Sequence, residues 1–130
     1  MTAKEQALEL FQTCYYDAID RGNASAAVSI FTHDVYWSHL SAWQSDELGF
    51  SLTDLDQFYT REDVLKFLSV ACPNVVESGL RHLIHDLVAD GDRGAFICEV
   101  TSNKKPDVAR FLVWYELAGS RVSRYLMRPL

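Results

Sequence analysis

Asp20 and His82 are the residues of this chain best suited to moving a proton. A carboxylate that orients and charges a neighbouring imidazole makes a general base near neutral pH. Asp20 ends the run Tyr15-Tyr16-Asp17-Ala18-Ile19-Asp20-Arg21-Gly22. His82 lies in Arg81-His82-Leu83-Ile84-His85-Asp86-Leu87-Val88, and in both segments apolar neighbours can enclose an ionisable group. If the two side chains meet, the chemistry is proton transfer. If they stay apart, Asp20 is a helix-end residue bonding local amides and His82 a core histidine bonded to a backbone carbonyl. On an ideal helix Tyr16 shares a face with Asp20, since residues four apart are neighbours, while Tyr15 lies on the apolar stripe.

Candidate walls for an apolar pocket are aromatic: Tyr16, Trp37, Trp43, Phe58, Trp114 and Tyr125. Ile84 shares a strand face with His82, and His39 sits at the end of an aromatic strand. His33 and His39, with scattered acids, match no metal-ligand spacing, so no metal is expected. Cys14, Cys72 and Cys98 are far apart in sequence and are read as small buried hydrophobes. No cofactor motif is present.

The elements that must position these groups begin with a long helix predicted over about Ala3 to Arg21. Leu8, Phe11, Tyr15, Ala18 and Ile19 recur at helical spacing, and Gly22 follows as a C-terminal cap. A short second helix starts at Asn23, with Ala26, Ala27, Ile30 and Phe31 on its apolar side. A strand, Val35 to Leu40, comes next. Periodicity fails from Ser41 to Asp56, where Trp43, Leu48, Phe50 and Leu52 punctuate a polar stretch. Such a segment reads as a loop or lid. The third helix is capped by Thr60 and Asp63, buries Val64, Leu65, Phe67 and Leu68, and is expected to stop at Pro73. Four strands follow, at roughly Leu80–Ala89, Gly94–Ser102, Val108–Ala118 and Arg121–Met127. Turns fall at Asp90-Gly91-Asp92 and Ala118-Gly119-Ser120. Helices first and an antiparallel meander afterwards mean an α+β fold, a curved sheet wrapped around the long helix.

The chain has 130 residues, which suits one domain over residues 1–130. Its formal net charge of −6 gives no electrostatic support for binding nucleic acid or an anionic membrane surface. No apolar run is long enough to span a bilayer. Met1-Thr2-Ala3-Lys4-Glu5-Gln6 carries no apolar export segment, so a cytoplasmic location is expected.

Four stretches carry a resemblance to a known superfamily. They are Tyr15-x-x-x-x-Asp20-x-Gly22, Phe31-Thr32-His33-Asp34-Val35-Tyr36-Trp37, Tyr59-Thr60-Arg61-Glu62 and Asp90-Gly91-Asp92-Arg93. Together they resemble the cone-shaped NTF2-like superfamily, and within it SnoaL-like polyketide cyclases, ketosteroid isomerases and small dehydratases. The resemblance implies a cone-shaped fold with a curved mixed or antiparallel sheet around a long N-terminal helix and two shorter helices. Scytalone dehydratase, bile-acid dehydratases and lindane dehydrochlorinase pair an Asp at the end of the long helix with a His early in the strand after the third helix. Asp20 and His82 fall on those positions. Bile-acid dehydratases add a Tyr five residues before the Asp, matched by Tyr15, and ketosteroid isomerases use a Tyr there as an oxyanion donor. The general-base Asp of ketosteroid isomerases corresponds to His39 or its neighbour. Their acidic second oxyanion donor has no counterpart, since Leu112 and Val113 occupy that region.

Two functions follow as expectations. One is a cofactor-independent lyase or isomerase, of dehydratase or cyclase type, acting on a small apolar polycyclic or ketonic molecule. In it Asp20, His82 and Tyr15 are catalytic. The other is a non-catalytic ligand-binding or dimerisation module. A homodimer through the outer face of the sheet suits either, and a weaker likeness is to the small subunit of ring-hydroxylating dioxygenases.

Overall fold

The computed structural model describes residues 1–40 and 55–130. Most of the expected lid, with Trp43, Leu48, Phe50 and Leu52, therefore lies outside the described residues.

Helix α1 starts at Thr2, whose hydroxyl accepts the Glu5 amide while the Glu5 carboxylate accepts the Thr2 amide. It is α-helical over Ala3–Leu8, widens to a π-helix over Glu9–Tyr16 and tightens again over Asp17–Asp20. In the widened stretch the Asp17 amide donates to the Gln12 carbonyl, five residues back. Residues five apart then face the same way as well as residues four apart. Phe11, Tyr15 and Tyr16 consequently all turn inward and are buried. Ideal α-helical spacing forces a choice between Tyr15 and Tyr16; the widened helix removes it. At the far end Gly22, with φ +81°, closes the helix. Its amide bonds the Ile19 carbonyl, and the Asn23 amide bonds that of Ala18.

Helix α2, Ala24–Val28, is capped by the Asn23 side chain and is shorter than its apolar pattern predicts. Ile30 and Phe31 lie beyond it. Strand β1 is Phe31–Leu40 and so opens four residues ahead of Val35. Its register against β6 breaks between Phe31 and Tyr36, which is why His33-Asp34 reads as an interruption rather than as strand. Strand β2, Leu55–Phe58, pairs with β1 and begins inside the stretch expected to be loop.

Helix α3, Arg61–Glu77, begins at the Thr60 cap as expected but runs through Pro73. Proline removes the hydrogen bond to the Ser69 carbonyl. Ser69 and Pro73 both face solvent, where water can satisfy that carbonyl. Meanwhile Val64, Leu68, Cys72 and Val75 stay buried along one face, so packing carries the helix past its breaker.

Strands β3 (Arg81–Asp90), β4 (Arg93–Thr101), β5 (Ala109–Ala118) and β6 (Arg121–Pro129) complete the sheet. Its order is β2-β1-β6-β5-β4-β3, parallel only between β1 and β6. The sheet is curved and unclosed, and α1 packs against it, as expected for the α+β class. Asp86 in β3 has φ 52°, and pairing with β4 skips between His85 and Val88. This bulge reverses the strand's parity. His82 and Ile84 face inward before it, but Leu87 is buried and Val88 exposed after it, whereas unbroken alternation would put Val88 on the His82 face. Among the described residues no helix is long and apolar enough to cross a membrane.

Candidate active site

Asp20 occupies the last turn of α1, where the helix dipole presents its negative end and disfavours a carboxylate. Strand β3 holds it there. One Asp20 oxygen accepts the His82 backbone N–H at 2.9 Å, and the other lies 2.6 Å from the His82 ring nitrogen Nδ1. Among the described residues both Asp20 bonds go to His82 rather than to a local amide. The pair is enclosed, with side-chain exposures of 3% for Asp20 and 13% for His82.

The reason the pair forms lies in the sheet edge. β3 is an outermost strand, so its outward amides and carbonyls need partners. Side chains of α1 provide them in place of another strand. Asp20 takes the His82 amide, and Gln12 Oε1 takes the Ile84 amide at 2.9 Å. Gln12 Nε2 donates to the His82 carbonyl at 2.9 Å and to the Asp17 carboxylate at 3.0 Å. Sequence reasoning missed Gln12 altogether. A glutamine on a helix carries no motif.

With Nδ1–H donating to Asp20, the neutral ring keeps its lone pair on Nε2. Among the described residues Nε2 has no hydrogen-bond partner. The imidazole stacks on Tyr16, with centroids 5.1 Å apart and planes 5° apart, and meets the edge of Phe111.

His82 lines a cavity of about 70 Å³ that opens to solvent. Its walls are largely apolar, built from Ile19, Leu68, Cys72, Val75, Phe111 and Met127 among others. Tyr15, Tyr16, Trp37, His39 and Tyr125 line it as well, so these five expected residues converge with His82. The Tyr16 and Tyr125 hydroxyls are 2.8 Å apart. The Trp37 indole N–H donates to the Tyr15 hydroxyl at 3.2 Å, and the Tyr15 ring packs against that of Tyr125, with centroids 5.5 Å apart. Burial pushes all three phenols above the usual tyrosine range, so they remain neutral donors. Tyr16 and Tyr125 share one hydroxyl–hydroxyl bond, and Tyr15, which accepts from Trp37, keeps its own proton for an oxygen of a bound molecule.

Other expected wall residues lie elsewhere. Phe58 packs behind Trp37 and Phe67 rather than on the cavity surface. Ile84 turns inward on β3 but beside Gln12, away from the cavity lining. Trp114 is 40% exposed on the outer sheet face and donates to Glu116 at 2.9 Å. Strand parity explains the misplacement. Ala109, Phe111, Val113 and Tyr115 point inward while Arg110, Leu112, Trp114 and Glu116 point outward. Two charged residues in phase with Trp114 were the available signal, and Phe111 was the inward residue to name.

Among the described residues no three His, Cys, Asp or Glu side chains converge as a metal site requires. The cysteines are unpaired; Cys72 and Cys98 are buried and Cys14 half-buried. Burial pushes all three thiols upward, the behaviour of inert core thiols.

Residues 13–125 match the family described as a SnoaL-like domain. No curated protein sequence matches the chain. Its fold is similar to a candidate ketosteroid isomerase from Kribbella flavida DSM 17836, with a TM-score of 0.68 and 19% identity over 100% of this chain and 82% of that one. It is also similar to a candidate polyketide cyclase from Sinorhizobium meliloti, with a TM-score of 0.65 and 12% identity over 90% and 92% of the two chains. A third similar structure is an NTF2-like protein of unknown function from Mesorhizobium loti, with a TM-score of 0.69 and 12% identity over 100% and 95%. At these identities the structures speak for the fold alone. The family match covers most of the length, and on it the chain belongs to the SnoaL-like domain family, in an NTF2-like fold.

Proposed function

We propose that the cavity performs cofactor-independent proton transfer, as a lyase or isomerase, on a small apolar ring compound bearing a carbonyl or hydroxyl group. The observation that carries this reading is the 2.6 Å Asp20–His82 contact on the wall of an apolar cavity. His82 Nε2 takes a proton from a carbon beside a carbonyl, and the electron pair moves into the carbonyl to give an enolate oxygen. Asp20 fixes the ring tautomer and stabilises the imidazolium that forms. Tyr15 donates its own hydroxyl proton as a hydrogen bond to that oxygen. Return of the proton to another carbon completes an isomerisation. Departure of a neighbouring hydroxyl, which takes the proton from the His82 imidazolium and leaves as water while the enolate electron pair forms the new double bond, completes an elimination. The apolar walls keep water away from the enolate.

Deuterium exchange from heavy water into the carbons flanking the β-tetralone carbonyl tests this without the natural substrate. The reading expects wild-type acceleration that His82→Gln lowers by about 10²–10⁴-fold. A variant that retains the wild-type rate overturns it, as does a wild-type protein that binds the ketone without speeding exchange.

The binding or dimerisation reading keeps one observation of its own. Leu83, Val88, Leu112 and Trp114 are exposed on the outer face of β3 and β5, a surface suited to a second copy of this chain. Sedimentation velocity tests the homodimer, which Trp114→Glu should dissociate. Unpaired thiols throughout suit a reducing compartment and support placing the protein in the cytoplasm.

A further inference from the structure

The cavity has a second histidine on its wall, and it too is held by a carboxylate. His39, on β1, lies with its Nδ1 3.3 Å from an Asp56 oxygen on the neighbouring β2, and its side chain is 15% exposed. Its ring stacks on Trp37, with centroids 5.1 Å apart and planes 11° apart, and touches Phe67. This arrangement repeats that of His82: a ring clamped at Nδ1 by an acid, laid flat on an aromatic face, bordering the same space.

The two histidines are far apart on the sheet. His39 is on β1 and His82 on β3, with β6, β5 and β4 between them. Four inter-strand steps of about 4.8 Å separate them along the curved surface. The intervening wall is aromatic. Trp37 stacks on Tyr125 at 5.7 Å, Tyr125 meets Tyr16 through their hydroxyls, and Tyr16 stacks on His82. The cavity is therefore bipolar, with an oriented imidazole at each end of a ring-lined middle.

We infer that the cavity selects elongated, flat, ring-containing molecules with an oxygen function at both ends. One oxygen-bearing end lies against His82 and the tyrosine cluster, and the other is bound by His39. With Nδ1 held by Asp56, His39 offers Nε2 to the distal oxygen as acceptor or donor according to its protonation. His39 is then a specificity-determining residue. A molecule with one polar end would leave its imidazole facing apolar carbon, at a cost in affinity. This inference deepens the proposed function by naming the substrate class of that same cavity. It rests on the cavity as the ligand site and is independent of whether His82 moves a proton.

A matched pair of probes tests it. p-Phenylphenol has one hydroxyl, and p,p′-biphenol has the same two rings with a hydroxyl at each end. Titration calorimetry should give the diol about tenfold tighter binding. Its symmetry alone accounts for about twofold of that. His39→Phe keeps a ring on Trp37 and should reduce the diol's advantage to the symmetry factor while p-phenylphenol binds at least as tightly as to the wild type, which also certifies the fold. Asp56→Ala, which frees His39 without altering its ring, should diminish the advantage in the same direction. Equal affinity for the two probes, no binding of either, or an advantage that survives in His39→Phe overturns the inference. Failure of ketone exchange with a retained diol preference would sink the proposed catalysis alone.

Discussion

His82 and His85 stand three residues apart on β3, and each meets a carboxylate. His82 and Asp20 are 2.6 Å apart, with side chains 13% and 3% exposed; His85 and Glu99 are 3.0 Å apart, with side chains 41% and 26% exposed. The odd spacing sends one ring into the cavity and the other to the outer face. Outside, Glu99 also binds Arg110 at 2.8 Å, and that pairing together with His85 holds its carboxyl below the usual range. There the acid has a permanent cation and water around it. Inside, Asp20 has His82 as its partner, and Tyr16 and Phe111 flank the ring. The same two residue types give a surface ion cluster in one place and a candidate base in the other. Enclosure makes the difference, because a desolvated site strengthens a fixed hydrogen bond and keeps the free nitrogen from water.

The sharpest way to break this comparison is to remove each ring in turn. His82→Gln should lower ketone proton exchange by about 10²–10⁴-fold, whereas His85→Gln should leave it within about twofold. Equal losses would show that position on the strand, not the cavity, matters.

The carboxylates come next. Asp20→Ala strands the His82 amide and ring nitrogen in a buried place and should destabilise the fold by about 2–5 kcal/mol, read by urea denaturation. Glu99→Gln on the exposed face should leave the denaturation midpoint unchanged.

Gln12 offers a finer probe, since it satisfies the β3 edge without touching the cavity. Gln12→Ala should cost about 1–3 kcal/mol in the same denaturation assay. It should also lower kcat more than it raises KM, because His82 loses its brace and the cavity wall does not change. A pure stability loss with unchanged kcat would reduce Gln12 to an edge cover.

The smallest effect concerns the tyrosines of the inner wall. Tyr15, Tyr16 and Tyr125 are raised above the ordinary value near 10, mainly by burial. The folded state then keeps protons that the unfolded chain releases. Their contribution is fully present below about pH 10 and is lost as pH rises from there through the raised folded values. Stability should fall above pH 10 by about 1.4 kcal/mol per pH unit for each such tyrosine. Tyr16→Phe should flatten that slope by one tyrosine's share, measured by melting at several alkaline pH values.

Much of this architecture is legible in the residues themselves. Amphipathic spacing, the Asn23 and Thr60 caps and the Gly22 stop define helices, and turn glycines divide the last strands. Asp20 and His82 stand out as an acid at a helix end and a histidine opening a strand, the positions that the resemblance pairs, while strand alternation alone leaves open which face of β3 points inward. What escapes is every change of phase. The π-helical stretch lets Tyr15 and Tyr16 share one side, and the Asp86 bulge swaps the faces of β3. Neither is written in a periodicity, since each departs from one. Gln12 is invisible because a lone helical glutamine carries no motif, and Pro73 misleads because packing of Cys72 and Val75 outweighs a local breaker. Trp114 shows the opposite failing, a bulky aromatic read as cavity wall although Arg110 and Glu116 mark its face as outer.

The central claim is that His82 is locked at Nδ1 by Asp20 and presents Nε2 to the cavity. Long-range proton–nitrogen correlation NMR of the histidine rings reads this directly, with and without bound p-phenylphenol. The account predicts that the neutral His82 ring carries its proton on Nδ1 and that its Nε2 signal moves when the phenol binds, while the His85 signals stay in place. A His82 ring protonated on Nε2 in its neutral form, or an Nε2 signal indifferent to the phenol, would contradict it.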